Sequence, residues 1–275
     1  MNHIELKLFL QKHQLSPNFT YGQNFLVDDT VLDDALAAAE VSNQDFILEI
    51  GPGIGNLTEM LLKNSHSVLS IEKDPKFLPL LKALKKQYIN FRYEIADALE
   101  YNFSEYFKET GCEEYKVVAN IPYYVTGKIL QLLLNASFKP KSITVLMQKE
   151  VAQNAVAQPG SLNILAISLQ LYGDAKIIRT VPAKSFYPAP KVESALLHID
   201  LHKKPKYNIP DEKKFFRIIK ACFSGKRKQI HNTLVNNLHL PKEVVIKVLE
   251  QIGVPPTARP QELSIEEWVR LVDKI

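Results

Sequence analysis

The sequence predicts an α/β protein: a mainly parallel sheet of seven strands covered by helices, followed by a smaller all-helical domain. Three observations carry this expectation. Seven short β-branched runs recur along the first two-thirds of the chain, each bounded by turn residues. Their apolar residues are contiguous instead of alternating, as in strands buried on both faces by crossover helices. After Asp200 the texture changes to a polar, proline-bearing connection and then to helical patterns alone.

The runs are Phe46 to Ile50, Ser67 to Ile71, Phe91 to Ile95, Lys116 to Ala119, Ile143 to Met147, Lys176 to Val181 and Ala195 to Ile199. Between the first two, Leu57, Met60, Leu61 and Leu62 have the spacing of an amphipathic helix, and Phe77, Leu80, Leu81 and Leu84 repeat it before the third. Lys203, Lys204, Pro205, Lys206 and Pro210 form the connection, which places a domain boundary between 1–201 and 202–275. The 275 residues, 46% of them hydrophobic, suffice for a globular core.

Several function classes are excluded early. No apolar run approaches the roughly 20 residues of a membrane helix, and the N-terminal stretch has neither the apolar core nor the cleavage site of a signal peptide, so a cytoplasmic protein without membrane association is expected. Cys112 and Cys222 are the only cysteines, too few for a disulfide framework, and the seven histidines form no pair with zinc-hydrolase spacing. No metal is implied. The formal charge is +4, but residues 202–275 hold 15 Lys/Arg against 8 Asp/Glu, a balance of +7 that leaves −3 for the rest. A basic tail of this kind suits a polyanionic partner or a solvated helical surface.

The first strand runs into Gly51-Pro-Gly-Ile-Gly55 and then a helix. Glycines at such a junction permit a tight turn and close approach of a ligand to backbone N–H groups. A dinucleotide fingerprint wants Gly-x-Gly-x-x-Gly, and Asn56 stands at its sixth position, which weakens a nicotinamide reading. Glu72 ends the second strand 21 positions after Gly51, where a carboxylate can accept both hydroxyls of a ribose. Asp97 closes the third. Gly51, Gly53, Glu72 and Asp97 thus converge on one crevice, and a ligand with ribose and adenine but no phosphate, S-adenosylmethionine, fits them.

The fourth strand delivers Asn120-Ile-Pro-Tyr123 to the same crevice. Pro122 has no N–H and biases Ile121 toward an extended conformation, freeing the Ile121 carbonyl for a ligand. Asn120 supplies a second oxygen and Tyr123 a flat face. Together they suit a planar base with an exocyclic amine, two oxygens accepting its two N–H groups while the ring stacks. Methylation at cytosine C5 would need a cysteine nucleophile, and neither Cys112 nor Cys222 adjoins a comparable proline motif.

These residues resemble a known family. Gly22-Gln-Asn-Phe-Leu26, Glu49-Ile-Gly-Pro-Gly53, Ile71-Glu-Lys-Asp74, Asn120-Ile-Pro-Tyr123, Met147-Gln-Lys-Glu150 and Phe186-Tyr-Pro-Ala-Pro-Lys-Val-Glu-Ser194 are similar, in order and over nearly the whole chain, to the motifs of ribosomal RNA adenine N6,N6-dimethyltransferases. Phe223-Ser-Gly-Lys-Arg-Lys-Gln-Ile-His-Asn-Thr-Leu234 adds to the likeness with the small-subunit branch. The resemblance implies a Rossmann-like class I S-adenosylmethionine-dependent methyltransferase sheet. It implies that Asn24 and Leu26 touch the cofactor together with Gly51, Gly53, Glu72, Asp97 and Asn120, and that Tyr123 and Phe186 sandwich the target adenine. The implied partner is small-subunit ribosomal RNA, bound by a monomer within an assembling subunit, and the implied reaction is dimethylation of two adjacent adenosines near the RNA 3′ end. The chain departs from the family pattern at Val125-Thr-Gly-Lys128 and near Asn154, positions that bear on RNA contacts and loop closure.

Three other readings share part of this pattern: a large-subunit adenine methyltransferase of the macrolide-resistance type, a nucleic-acid-binding relative without catalysis, and an NAD-dependent oxidoreductase. Lys226, Arg227 and Lys228 in the basic tail favour the small-subunit reading and are expected to meet RNA phosphates from a helix running on through Ile230, Leu234 and Leu238.

Overall fold

The computed structural model describes residues 1–275 apart from Lys226 and the Phe19 side chain. Nine strands occur among the described residues: β1 Phe25–Leu26, β2 Phe46–Ile50, β3 Ser67–Glu72, β4 Phe91–Ile95, β5 Tyr115–Asn120, β6 Ser142–Gln148, β7 Gly173–Val181, β8 Phe186–Tyr187 and β9 Ser194–Leu201. Seven form one sheet in the order β4-β3-β2-β5-β6-β9-β7, while β1 and β8 make a separate antiparallel pair. The run from β4 to β6 is parallel and β9 joins it antiparallel. Every predicted run is a strand of this sheet.

The pattern of buried residues explains the layering. In β2, Ile47, Leu48, Glu49 and Ile50 are consecutive buried residues, and β5 is buried from Tyr115 to Ala119. Strands of this kind need cover on both faces, and the crossovers supply it through the helices Asn56–Asn64 and Leu78–Gln87, which bury Leu57, Leu61 and Leu62, and Leu80 and Leu81. An N-terminal helix, His3–Lys12, is capped by Asn2 and buries Leu6 and Leu10 in a cluster with Phe25, Ile54 and Phe77.

The chain forms two compact units, Met1–Ala152 with Ala175–Leu201, and Gln153–Asp174 with His202–Ile275. The sequence placed all of 1–201 in the first; the structure instead moves Gln153–Asp174 to the second. The reason lies in the helix Ile164–Tyr172. It buries Ala166, Ile167, Leu169, Leu171 and Tyr172, the Tyr172 hydroxyl donates to Glu212 Oε2 at 2.6 Å, and the His202 N–H donates to the Tyr172 carbonyl at 2.8 Å. Its apolar faces need the C-terminal helices, Glu212–Phe223, Ile230–Leu238, Lys242–Gln251 and Ile265–Lys274, whose core holds the fully buried Trp268 and Phe215. Among the described residues no helix is long and apolar enough to cross a membrane.

One buried group leaves a mark on stability. Glu49 is 1% exposed within β2, and Ser70 Oγ donates to its Oε2 at 2.6 Å. Burial dominates over that hydrogen bond and pushes the carboxyl from 4.5 up to about 7. A raised carboxyl pKa means that the folded chain binds more protons than the unfolded one between these values, so stability falls as pH rises through that window. Glu49→Gln removes this titration. Denaturant unfolding is expected to show wild-type stability dropping by on the order of 1 to 3 kcal/mol from acid to neutral pH through this group, with a flatter profile in the variant; equal slopes in both would assign the drop elsewhere.

Candidate active site

The cavity at the carboxyl end of the parallel strands begins with a turn. After β2 the chain passes through Gly51 and Gly53, the latter at φ 54, a left-handed conformation that costs a glycine little. This aims the Gly53 N–H at Glu72 Oε2, 3.0 Å away, while the Asp74 N–H donates to Oε1 at 2.8 Å. Glu72 is only 6% exposed. Burial raises its pKa, opposed by these N–H bonds. Each oxygen has one backbone donor and keeps a lone pair, so the carboxylate is held in place and can still accept two hydroxyls. Asp97 behaves differently. Lys73 Nζ lies 2.7 Å from its Oδ2 and the Leu99 N–H donates to Oδ1 at 2.9 Å, which holds its carboxyl below the usual range.

On the other side of β2 the motif at the end of β5 faces the same space. The Asn120 Nδ2 donates to the Asn24 carbonyl at 3.2 Å, and Asn24 Nδ2 donates to the Gly22 carbonyl at 3.1 Å. This fixes the amide so that its Oδ1, to which no described residue donates, is the free acceptor. The Ile121 N–H donates to the Leu146 carbonyl at 3.3 Å, tying the turn to β6. The Pro122 carbonyl accepts from the Val125 N–H at 3.2 Å and from Thr126 Oγ1 at 3.3 Å, closing a 3-10 turn, Tyr123–Val125. The Tyr123 hydroxyl lies 2.6 Å from Ser194 Oγ, and burial raises its pKa, so the phenol stays neutral and its ring is tethered.

Most of the predicted site residues therefore share one cavity. Asn24, Leu26, Gly51 and Gly53 line it, as do Glu72 and Asp97, and so do Asn120, Ile121, Pro122 and Tyr123. Two expectations do not fit. Phe186 is 1% exposed, in the same buried cluster as Leu26, Val31 and Leu196, and is absent from the lining. Its strand β8 is paired with β1, and the ring fills core where a stacking face was expected. The basic run does not continue a helix: the helix Glu212–Phe223 ends before it, the next starts at Ile230, and Arg227 and Lys228 are exposed in the connecting turn. Lys226 lies outside the described residues.

Sequence reasoning overlooked Lys73 and Tyr124, which also line the cavity. Lys73 stands between two residues already singled out, and its role shows only when β3 and β4 pair in register, with Glu72 opposite Ile95. Tyr124 follows Tyr123 directly, and a linear reading cannot tell which of two adjacent tyrosines enters the site.

The sheet order and a cavity floored by Glu72 at the switch between β2 and β5 are those of a class I methyltransferase. A model of the family described as ribosomal RNA adenine dimethylase matches residues 14–275. A Clostridium botulinum protein named ribosomal RNA small subunit methyltransferase A is 39% identical over 99% of this chain and 98% of its own length. A protein of the same name from Dehalococcoides mccartyi is 37% identical, covering 97% of this chain and 91% of its own. Among solved structures, the 23S rRNA methyltransferase ErmE is 25% identical with a TM-score of 0.73, covering 91% of this chain and 99% of its own. A dimethyladenosine transferase from Plasmodium falciparum, at 24% identity, has a TM-score of 0.77 over 90% of this chain and 95% of its own, a likeness of fold. The chain belongs to the ribosomal RNA adenine dimethylase family.

S-adenosylmethionine, the methyl donor of such enzymes, fits the residues present. A Cβ built on Gly51 would stand 3.8 Å from the Asn120 carbonyl and from Pro122 Cδ, so the missing side chain keeps a cradle open between the β2 turn and the β5 motif. Glu72 and Asp97 keep carboxylate acceptors on this cavity, which would suit ribose hydroxyls and the adenine edge respectively. Glu72→Gln keeps the shape but removes the charge. It is expected to weaken S-adenosylmethionine by roughly 1.5 to 3 kcal/mol, the worth of a charge-assisted contact. Because hydroxyls donate to the ionised form, wild-type affinity should be full above the raised Glu72 pKa and be lost as pH falls through it, at a higher pH than for an ordinary glutamate. Calorimetry across acidic pH checks both points; equal affinities and profiles in a folded Glu72→Gln variant would remove Glu72 from the site.

Proposed function

We propose that this chain is an enzyme that transfers methyl groups from S-adenosylmethionine to N6 of two adjacent adenosines near the 3′ end of small-subunit ribosomal RNA, giving N6,N6-dimethyladenosine. The observation that carries this reading is the Asn120–Tyr123 motif, oriented by Asn24, on the same cavity as Glu72 and Asp97. The names of the small-subunit relatives support the choice of RNA. The ErmE likeness supports a large-subunit substrate only at the level of the family.

When bound, S-adenosylmethionine supplies an electrophilic methyl group on a sulfonium. The residues of this chain present the nucleophile to it. An adenine amine is a poor nucleophile because its lone pair is delocalised into the ring. Asn120 Oδ1 and the Ile121 carbonyl accept its two N–H groups, which favours a pyramidal nitrogen with its lone pair turned to the methyl. Tyr123, its hydroxyl tethered to Ser194, stacks on one face of the base. The amine proton becomes acidic only as the C–N bond forms, so no dedicated base is needed. Orientation can be worth roughly 7 to 11 kcal/mol in well-aligned systems. After the first transfer one N–H remains, and either oxygen can hold it for the second.

The methyltransferase unit binds the cofactor and catalyses, and the C-terminal helices with Lys226, Arg227 and Lys228 hold RNA phosphates. The enzyme acts as a cytoplasmic monomer on an assembling small subunit.

Purified enzyme is expected to label undermethylated small subunits and not large subunits, with dimethyladenosine mapped to adjacent positions, and Asn120→Ala is expected to abolish most of the single-turnover rate while RNA affinity is retained. Labelling confined to large subunits would replace the substrate; a normal rate in Asn120→Ala would remove Asn120 from the chemistry. Neutralising Lys226, Arg227 and Lys228 together is expected to flatten the salt dependence of RNA binding by up to about 0.7 to 0.9 log units for each phosphate that is no longer neutralised. An unchanged slope would mark the turn as merely solvated.

A further inference from the structure

Tyr123 and Tyr124 are neighbours in the chain with different partners in space. The Tyr123 hydroxyl is held by Ser194 on β9. The Tyr124 ring lies against Gly22: a Cβ built there would stand 3.4 Å from Tyr124 Cδ1 and 3.7 Å from Cε1. Gly22 is at φ 60, and its lack of a side chain lets the ring settle on the backbone. Lys73, the lysine paired with Asp97, lines the same cavity as Tyr124. Yet Tyr124 remains 55% exposed while lining the cavity. A large aromatic ring, braced on one loop, lining the same cavity as the Lys73–Asp97 pair and otherwise largely exposed, has no packing role that accounts for its position.

We propose that Tyr124 is a cofactor-holding residue: its ring, braced on Gly22, covers the open side of the cavity beside Lys73 and Asp97, over the adenosine half of the bound cofactor, and slows its release. The proposal rests on the reading of this cavity as the S-adenosylmethionine site. The two tyrosines then divide the work, Tyr123 serving the target base and Tyr124 the methyl donor. An aromatic ring suits such a cover because it brings a large rigid apolar face with few rotatable bonds while its hydroxyl stays in water. The ring, and not the hydroxyl, should therefore set residence time.

The test is stopped-flow release of S-adenosylmethionine from the full-length enzyme without RNA. Tyr124→Ala is expected to release the cofactor on the order of three- to tenfold faster, with little change in association rate. Tyr124→Phe is expected to restore wild-type release, and circular dichroism shows whether each variant is folded. Equal release rates in wild type and a folded Tyr124→Ala variant overturn the proposal. So does a variant with normal release but weakened RNA binding, which would make Tyr124 a substrate contact. Failure of the wild-type protein to bind S-adenosylmethionine would instead overturn the cofactor reading itself.

Discussion

Parallel pairing of β2 with β3 on one side and β5 on the other is the constraint on which the rest depends. It puts three strand ends in a row at one edge, and because the chain first builds outward through β3 and β4 before returning to β5, a crevice opens where the direction of winding reverses. The turn after β2, the carboxylate after β3 and the amide after β5 are far apart in sequence, yet meet there without a long loop. A one-residue slip between β2 and β3 would turn Glu72 away from Gly53.

Glu72 shows how the site pays for itself. A carboxylate at 6% exposure is costly, and nearby Asp74 raises the cost further. Two backbone N–H groups offset part of it, but a lone pair on each oxygen remains. A ligand with two hydroxyls would complete the set, and part of its binding free energy would be the relief of an incompletely satisfied charge. Asp97 carries no comparable burden because Lys73 already answers it. The two carboxylates look equivalent in sequence and differ physically: one is an under-satisfied anchor, the other half of an ion pair.

The sheet was legible because strands buried on both faces leave contiguous apolar runs, and turn residues bracket them. The observed strands extend the predicted ones by at most three residues at an end, as with Gly173 before Lys176, where Gly173 and the polar Asp174 mask the start of β7. The cavity residues were legible because each follows a strand directly. What failed depends on contacts that no local pattern encodes. The helix Ile164–Tyr172 falls inside the 1–201 domain expected from the sequence, and its bonds from Tyr172 to Glu212 and from His202 to Tyr172 tie it to the C-terminal helices. Phe186 sits in a motif rich in prolines, which reads as exposed loop, yet the pairing of β8 with β1 sinks its ring into the core. Gly225 and the three cations after it continue the helical spacing of the tail, but the chain turns at Ser224 and Gly225.

The burial of Phe186 bears on how the target base is held. With that ring in the core, the proposed stacking falls to Tyr123, and one face of an inserted adenine would be left to other groups. In the proposed reaction, orientation of the amine would then fall mainly to hydrogen bonding, and the chain from Gly22 through Asn24 to Asn120 would set it. Each amide in this chain donates to the next backbone carbonyl, so Oδ1 of Asn120 cannot rotate away without breaking a bond to Asn24. The same segment supports Tyr124 through Gly22. A single N-terminal loop thus orients the Asn120 amide and braces the Tyr124 ring, so that in the proposed function one stretch of backbone would couple the placement of both reactants.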